Sequence, residues 1–310
     1  MVRPHTWLLL LVIALVSACT TEQSQRLIES PEFSVNPDEP PPARALCDFA
    51  DPSELENWRL YEIEGDHNPP SAQVAGGVLH VHSDNAVGLF FRKVRVFPAH
   101  EPLLSWRWRV SRTFPESSSL SPELDNFPAR VLVGFEAGWE GASAVALSFK
   151  RKVENAIGIS PPARGVCYTF GGKTDRSVAI DALFGQGRIV IVNLRRDTAG
   201  RGRWFDEVRD IAADYRAIFG GDGAVPPVST IAVSSDSDRM KVPVSADFAD
   251  FRVHPAEAYQ YFRNILGPPP RDSQAPPLAR WLAASFAGLA ALILGAWIAL
   301  KRRRGVSEQA

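Results

Sequence analysis

Cysteine and methionine are the scarcest informative residues of this chain, with three and two respectively in 310 residues. So few thiols exclude a disulfide-dense scaffold. No Cys/His spacing of the kind that holds zinc occurs, and no other metal or cofactor is implied. A charge excess is missing as well, since 34 Lys and Arg stand against 35 Asp and Glu. The balance hides a split. Arg3, Arg280, Lys301, Arg302, Arg303 and Arg304 crowd near the two ends with Glu308 as their one acid, and the middle is left acidic. That distribution excludes a dedicated nucleic-acid binder. The sequence has no internal repeat and no Gly-x-Ser-x-Gly elbow, and no Ser/His/Asp set stands out for nucleophilic catalysis.

What is present begins with the ends. Arg3, an apolar run from Trp7 to Val16 and the small pair Ser17-Ala18 precede Cys19. This arrangement resembles the bacterial lipoprotein signal, which implies cleavage after residue 18 and lipidation of Cys19. Near the other end, Trp281 to Leu300 contains Ser285 as its only polar side chain and runs directly into Lys301-Arg302-Arg303-Arg304. That length spans a bilayer core, and the basic cluster marks the cytoplasmic side. The expected organisation is a signal peptide (1–18), a proline-rich tether (19–45), a β-sandwich domain (46–254), a short helix and proline-rich linker (255–280), a transmembrane helix (281–300) and a basic cytoplasmic tail (301–310). The lipid bilayer is then one partner. The expected location is the bacterial inner membrane, with the domain in the periplasm and the C-terminus in the cytoplasm. In that oxidising compartment Cys47 and Cys167 allow a single disulfide; two separately buried thiols are the alternative.

Residues 46–254 are dominated by short alternating segments. Leu79 and Val81 alternate with His80 and His82; Phe90, Val94 and Val96 oppose Lys93 and Arg95; Val131, Val133 and Phe135 oppose Arg130, Leu132 and Glu136. Segments 187–194 and 228–235 are nearly all apolar, as strands covered on both faces require. Strands separated by Gly, Pro, Asn and Asp clusters predict a mainly β, antiparallel two-sheet sandwich rather than βαβ units. One helix is expected within "DEVRDIAADYRAIFGG", with Asp206 and Glu207 in its first turn, Val208, Ile211, Ala212, Tyr215, Ile218 and Phe219 on its apolar side, and Gly220 as its stop. A shorter one is expected over 256–266.

Six stretches carry a family resemblance: "LSWRWRV", "DNFPARVLVGFE", "CYTFGG", "RIVIVNLRRD", "DEVRDIAADYRAIFG" and "ADFADFRV". Their order and spacing resemble the bacterial family named domain of unknown function 3047, over roughly residues 47–253. The resemblance implies a jelly-roll-like strand order, similar to carbohydrate-binding modules, and no known activity. The chain departs from the family pattern at Asp125-Asn126, where two acids are common, and at Arg239, which follows Asp236-Ser237-Asp238 where an Asn is usual. A cation site is therefore not carried over.

Candidate site residues follow from pattern. In "LLSWRWRV" (103–110), Leu104, Trp106, Trp108 and Val110 share one face, read as core, while Arg107 and Arg109 share the other. With Lys93, Arg95 and Arg130 they suggest a basic outer sheet surface suited to an anionic polysaccharide or lipid headgroup; cross-strand pairing with carboxylates such as Glu136 is the plainer account. The long serine-rich loop 112–128 ends in Asp125 and Asn126 just before Arg130, and with Asp236 and Asp238 it forms the preferred ligand site. Asx-turns account for the same residues without a ligand. His80 and His82 lack a third metal ligand. The expected function is a non-catalytic, membrane-anchored envelope protein whose sandwich binds an envelope polysaccharide or an envelope protein. The rivals are a carbohydrate-active enzyme using Asp125, Asp236 and Asp238, and a structural envelope component. Cys19→Ala is expected to abolish the lipid-dependent mass increase of the mature chain in intact-mass spectrometry, and an unchanged mass would refute lipidation.

Overall fold

The computed structural model describes residues 43–63, 68–117, 125–172, 178–180, 188–195, 201–221, 223–264 and 266. The signal peptide, Cys19, nearly all of the tether, the 281–300 span and the basic tail lie outside the described residues. Among the described residues no helix is long and apolar enough to cross a membrane.

The alternating segments form two sheets. Sheet 1 contains β1 (Arg44–Cys47), β3 (Ser71–Ala75), β4 (Val78–Ser83), β6 (Leu103–Val110), β11 (Phe205–Asp210) and β13 (Val244–His254), in the order β11-β6-β13-β4-β3, with β1 also paired to β13. Sheet 2 has the order β2-β5-β12-β7-β8-β10-β9. Its strands are β2 (Trp58–Glu62), β5 (Gly88–Val96), β7 (Ala129–Phe135), β8 (Arg164–Phe170), β9 (Val178–Ile180), β10 (Arg188–Arg195) and β12 (Val228–Ser234). The expectation of wholly antiparallel sheets fails in one place, because β10 runs parallel to β8. The cause is a skipped position. β9 takes the edge of the sheet, and β10 returns antiparallel to it in the slot left beside β8.

Period-two alternation places the core between the sheets. Leu104, Trp106, Trp108 and Val110 of β6 are buried in one cluster with Val131, Val133 and Phe135 of β7 and Val166, Tyr168 and Phe170 of β8. The Trp106 ring lies 5.3 Å from Tyr168, and Trp108 lies 5.4 Å from Phe170. With both indoles at most 1% exposed, each contributes on the order of 4–6 kcal/mol of transfer free energy at about 25 cal/mol per Å². The tryptophans are core, as their alternation predicts.

Two helices differ from expectation. The segment 206–219 is not one helix. Phe205–Asp210 is strand β11, paired along β6 from Phe205↔Trp108 to Asp210↔Leu103. Of the apolar positions expected on a helix, Val208 belongs to this strand and only those from Ile211 onward are helical; Asp210 caps α2 (Ile211–Phe219) by accepting from the Ala213 N–H at 2.7 Å. An edge of sheet 1 that would otherwise lack a partner is thereby completed, which outweighs helical propensity. The longest described helix was not foreseen. It had legible signals: Ser143 accepts from the Ala146 N–H, and Gly158 at φ 70° closes the C-terminus. This helix, α1 (Ala144–Ile157), covers the outer face of sheet 2, where Val153, Ile157 and Phe149 pack on Phe91, Leu132, Cys167 and Ile191. The C-terminal segment forms 3₁₀ turns at Ala256–Ala258 and a single turn at Tyr259–Phe262, and covers Leu103 and Val208 at one end of sheet 1.

Gly134 shows how tightly sheet 2 is covered. A Cβ there would lie 2.5 Å from the Pro162 side chain and nearer still to Thr230 Oγ1. Gly134→Ala is therefore expected to lower unfolding stability by about 1–3 kcal/mol through overpacking, measured by urea denaturation.

Candidate functional site

Topology brings the predicted acidic cluster together. β7 and β12 are antiparallel neighbours with Arg130 opposite Ser234, so the residues just before β7 meet those just after β12. The Asn126 amide donates to Asp236 Oδ1 at 3.1 Å and Asp238 Oδ1 at 2.8 Å. Its Oδ1 accepts from the backbone N–H groups of Arg239 and Met240, both at 2.9 Å. Arg130 Nη2 donates to the Asp125 carbonyl at 2.8 Å, and to Asp125 Oδ1 and Asp236 Oδ2 at 3.1 Å. Its guanidinium also stands 4.8 Å from the centre of the Phe127 ring. Burial opposes the charge on Arg130, but Asp125 and Asp236 outweigh it and hold its pKa above the ordinary value. Burial pushes the Asp236 carboxyl well above the usual carboxylate range; Asp238 and Asp125 push the same way, while Arg130 opposes them.

This arrangement ties two loops together. Three carboxylates share one guanidinium and one amide, and these take the electropositive place between them. Among the described residues no group of His, Cys, Asp and Glu side chains is arranged to hold a metal ion. The three acids are close, as the rival enzymatic reading requires. Asp236 and Asp238, however, bind the same amide nitrogen. A glycosidase pair needs to stand on either side of a scissile bond, about 5–9.5 Å apart with the substrate between them. Here the Asn126 amide fills that space.

Arg107 and Arg109 belong to a different place, the outer face of sheet 1. Arg109 Nε donates to Asp247 Oδ2 at 2.5 Å, and the other oxygen of Asp247 lies 2.7 Å from His80 Nδ1. Arg107 Nε meets Asp206 Oδ1 at 2.9 Å, and its Nη1 lies 3.5 Å from Asp250 Oδ2. Asp250 reaches that position through a slip in the β13 register, where its φ is 54°. Both guanidinium groups stand against the Trp204 ring, at 5.1 and 4.8 Å from its centre. The single basic surface is corrected by this geometry: Lys93, Arg95 and Arg130 lie in sheet 2, and Arg107 and Arg109 in sheet 1. Cross-strand pairing with carboxylates does occur, with Asp206, Asp247 and Asp250 as partners of the two arginines rather than Glu136.

The disulfide alternative is also corrected. Cys47 and Cys167 are buried free thiols. Cys47 lies in the core between the sheets, and Cys167 lies under α1 on the outer face of sheet 2. The sheet itself separates them. Burial pushes their pKa values up to about 12 and about 11, so neither is a ready nucleophile.

Two aromatic residues of functional interest escaped the sequence reading. Trp204 follows Gly202-Arg203, and Trp139 sits between Gly138 and Gly141. Aromatic residues on glycine-bearing turns, outside any strand pattern, were the available signal.

Fold and site together define a mainly β domain of two packed sheets with few helices. The chain belongs to the family described as "Protein of unknown function (DUF3047)", whose model matches residues 49–252. No curated protein matches the chain. Among solved structures, the xyloglucanase domain of NopAA, a type three effector from Sinorhizobium fredii in complex with cellobiose, is similar at 9% identity and a TM-score of 0.37, covering 64% of this chain and 91% of that one. The agarase AgWH50C is similar at 10% identity and a TM-score of 0.30, covering 69% and 24%. A sialidase is similar at 11% identity and a TM-score of 0.29, covering 70% and 19%. Likenesses this slight carry no argument about function.

The cluster generates a pH dependence. Because the folded state holds the Asp236 proton to higher pH than the unfolded chain, this group's contribution to stability is fully present below the ordinary carboxylate range. It is lost as pH rises toward the raised value. Asp236→Asn keeps a neutral, non-titrating group at that position, and is expected to flatten the fall in thermal midpoint across that window.

Proposed function

We propose that the protein is an exported, membrane-anchored recognition module that carries out no reaction and holds an acidic envelope polysaccharide on the outer face of sheet 1. The observation that carries this reading is the pair Arg107 and Arg109 set against Trp204. Arg109 uses only Nε on Asp247, and its terminal Nη groups have no partner among the described residues. Side chains held by Asp247, Asp206 and Asp250 are already ordered, so a ligand carboxylate meets donors that lose little further entropy.

The same face argues for a glycan over a protein partner. The large apolar side chains exposed among the described residues are Phe97 and Val145, and neither belongs to a strand of sheet 1. Protein-binding surfaces centre on buried aromatic and aliphatic anchors. A ridge of arginine, aspartate and histidine suits a hydrated chain of hydroxyl and carboxylate groups. The enzymatic alternative is weakened by the acidic cluster, whose members are engaged with Asn126 and Arg130. Anchoring through Cys19 and residues 281–300, with the domain in the periplasm, belongs to the same proposal.

The test titrates the full-length chain in detergent with alginate, polygalacturonate and dextran by calorimetry. Binding of the acidic polymers but not dextran is expected, weakening with salt and falling at least about tenfold, ~1.4 kcal/mol, in the Arg107→Ala/Arg109→Ala double variant. Silence toward both acidic polymers, or affinity untouched by the double substitution, would overturn the proposal.

A further inference from the structure

Sheet 2 has its own opening. Beyond the end of α1, the loops 136–143 and 158–162 enclose a cleft of about 390 Å³ on its outer side, within the range of small-ligand sites. Its floor is formed on β5 and β12, where Lys93 stands opposite Thr230. The β12 register slips between Val228 and Thr230 against both neighbours, which lets the consecutive residues Ser229 and Thr230 both line the cleft.

Two observations point to a ligand. Lys93, opposite Thr230 on β5, and Glu136, just past the end of β7, line the cleft together with Lys150 and Glu140, and no ion pair joins Lys93 to Glu136. Finally, Trp139 lines the wall and is held in place by its Nε1–H, which donates to the Pro161 carbonyl at 3.1 Å.

We propose that this cleft binds one ring of a neutral sugar. A fixed indole gives the C–H face of such a ring a surface to stack on. The Glu136 carboxylate accepts from ring hydroxyls, and the Lys93 ammonium donates to them. Donors and acceptors of both signs, with Lys93 and Lys150 balanced by Glu136 and Glu140, suit an uncharged polyhydroxylated ligand better than an anion or a cation. The same chemistry is offered by a free monosaccharide and by the terminal ring of a neutral glycan. The inference does not rest on the acidic-polysaccharide reading, which concerns sheet 1.

The experiment uses full-length protein in a detergent without a sugar headgroup, and saturation-transfer NMR with glucose, galactose, N-acetylglucosamine and the β-1,4-linked tetramers of glucose and N-acetylglucosamine. At least one of these is expected to bind. Trp139→Ala and Glu136→Ala should each weaken that binding at least about fivefold, and Glu136→Ala, at an exposed position, should leave the thermal midpoint unchanged. The Arg107→Ala/Arg109→Ala variant should bind these sugars as the parent does, which separates a failure here from a failure on sheet 1. Tighter binding of a tetramer than of its monomer identifies a glycan end as the ligand, and equal binding identifies a free sugar. No saturation transfer from any of the five probes, or transfer undiminished in both Trp139→Ala and Glu136→Ala, would overturn the proposal.

Discussion

The stacking of Trp106 and Trp108 against Tyr168 and Phe170 sets the spacing of the two sheets, and most other features follow from it. Four large rings from one strand of each sheet meet near the centre of the sandwich. Because successive side chains of β6 point to opposite faces, burying the two indoles directs Arg107 and Arg109 outward. A slip of one residue in β6 would place guanidinium groups in the core and indoles in water. The recognition face of sheet 1 is thus a consequence of how the interior is filled.

The aromatic rows also bring polar groups inside; Trp106 Nε1 has no partner among the described residues, but the charged groups beside the rings are matched. Glu207 of β11 accepts from Trp108 Nε1 at 2.9 Å and from Arg195 Nε at 2.6 Å. Beside it, Arg209 makes two bonds to Asp214, at 2.9 and 2.7 Å, and Tyr168 donates to the same carboxylate at 2.6 Å. Replacing such pairs with apolar groups can cost little, but removing one partner strands a buried charge. These groups join β11 and α2 to β8 and β10, and they account for charged residues in a strand facing the core. The two outer faces divide differently. Sheet 2 is sealed by α1 except at its far end, whereas sheet 1 is covered by the C-terminal turns at one end only.

Much of this was legible in the sequence, and the failures have physical causes. Alternation was sufficient for β4, β5 and β6, because one face of each is more buried than the other; β7 was found by its apolar positions although both of its faces are buried. The long loop 112–128 and the Asp236-Ser237-Asp238 motif brought Asp125, Asn126, Arg130, Asp236 and Asp238 into consideration, although their bonding to one another depends on β7 and β12 being neighbours, which no local pattern states. The segment 205–219 misled because Val208 and Ile211 fit a helical stripe as well as a strand followed by a cap. α1 was missed although Ser143 and Gly158 bracket it, since its apolar stripe is sparse and broken by Lys150, Arg151 and Lys152. The parallel β8–β10 pair and the cleft beside Trp139 arise from loop paths, to which periodicity is blind.

The pairing of β1 with β13 has a mechanical consequence. β1 is four residues long and antiparallel to β13, with Arg44 opposite Val253. The point where the chain enters the domain and the strand that precedes its exit therefore lie side by side. A force drawing the two ends of the domain apart, once past the turns at 256–262, loads this ladder at one extremity and opens its bonds in succession, like a zip. Strands loaded from opposite extremities would have to break their bonds together, which takes more force. A chain held at both ends would yield first at this seam, shedding β1 while the aromatic centre stays closed.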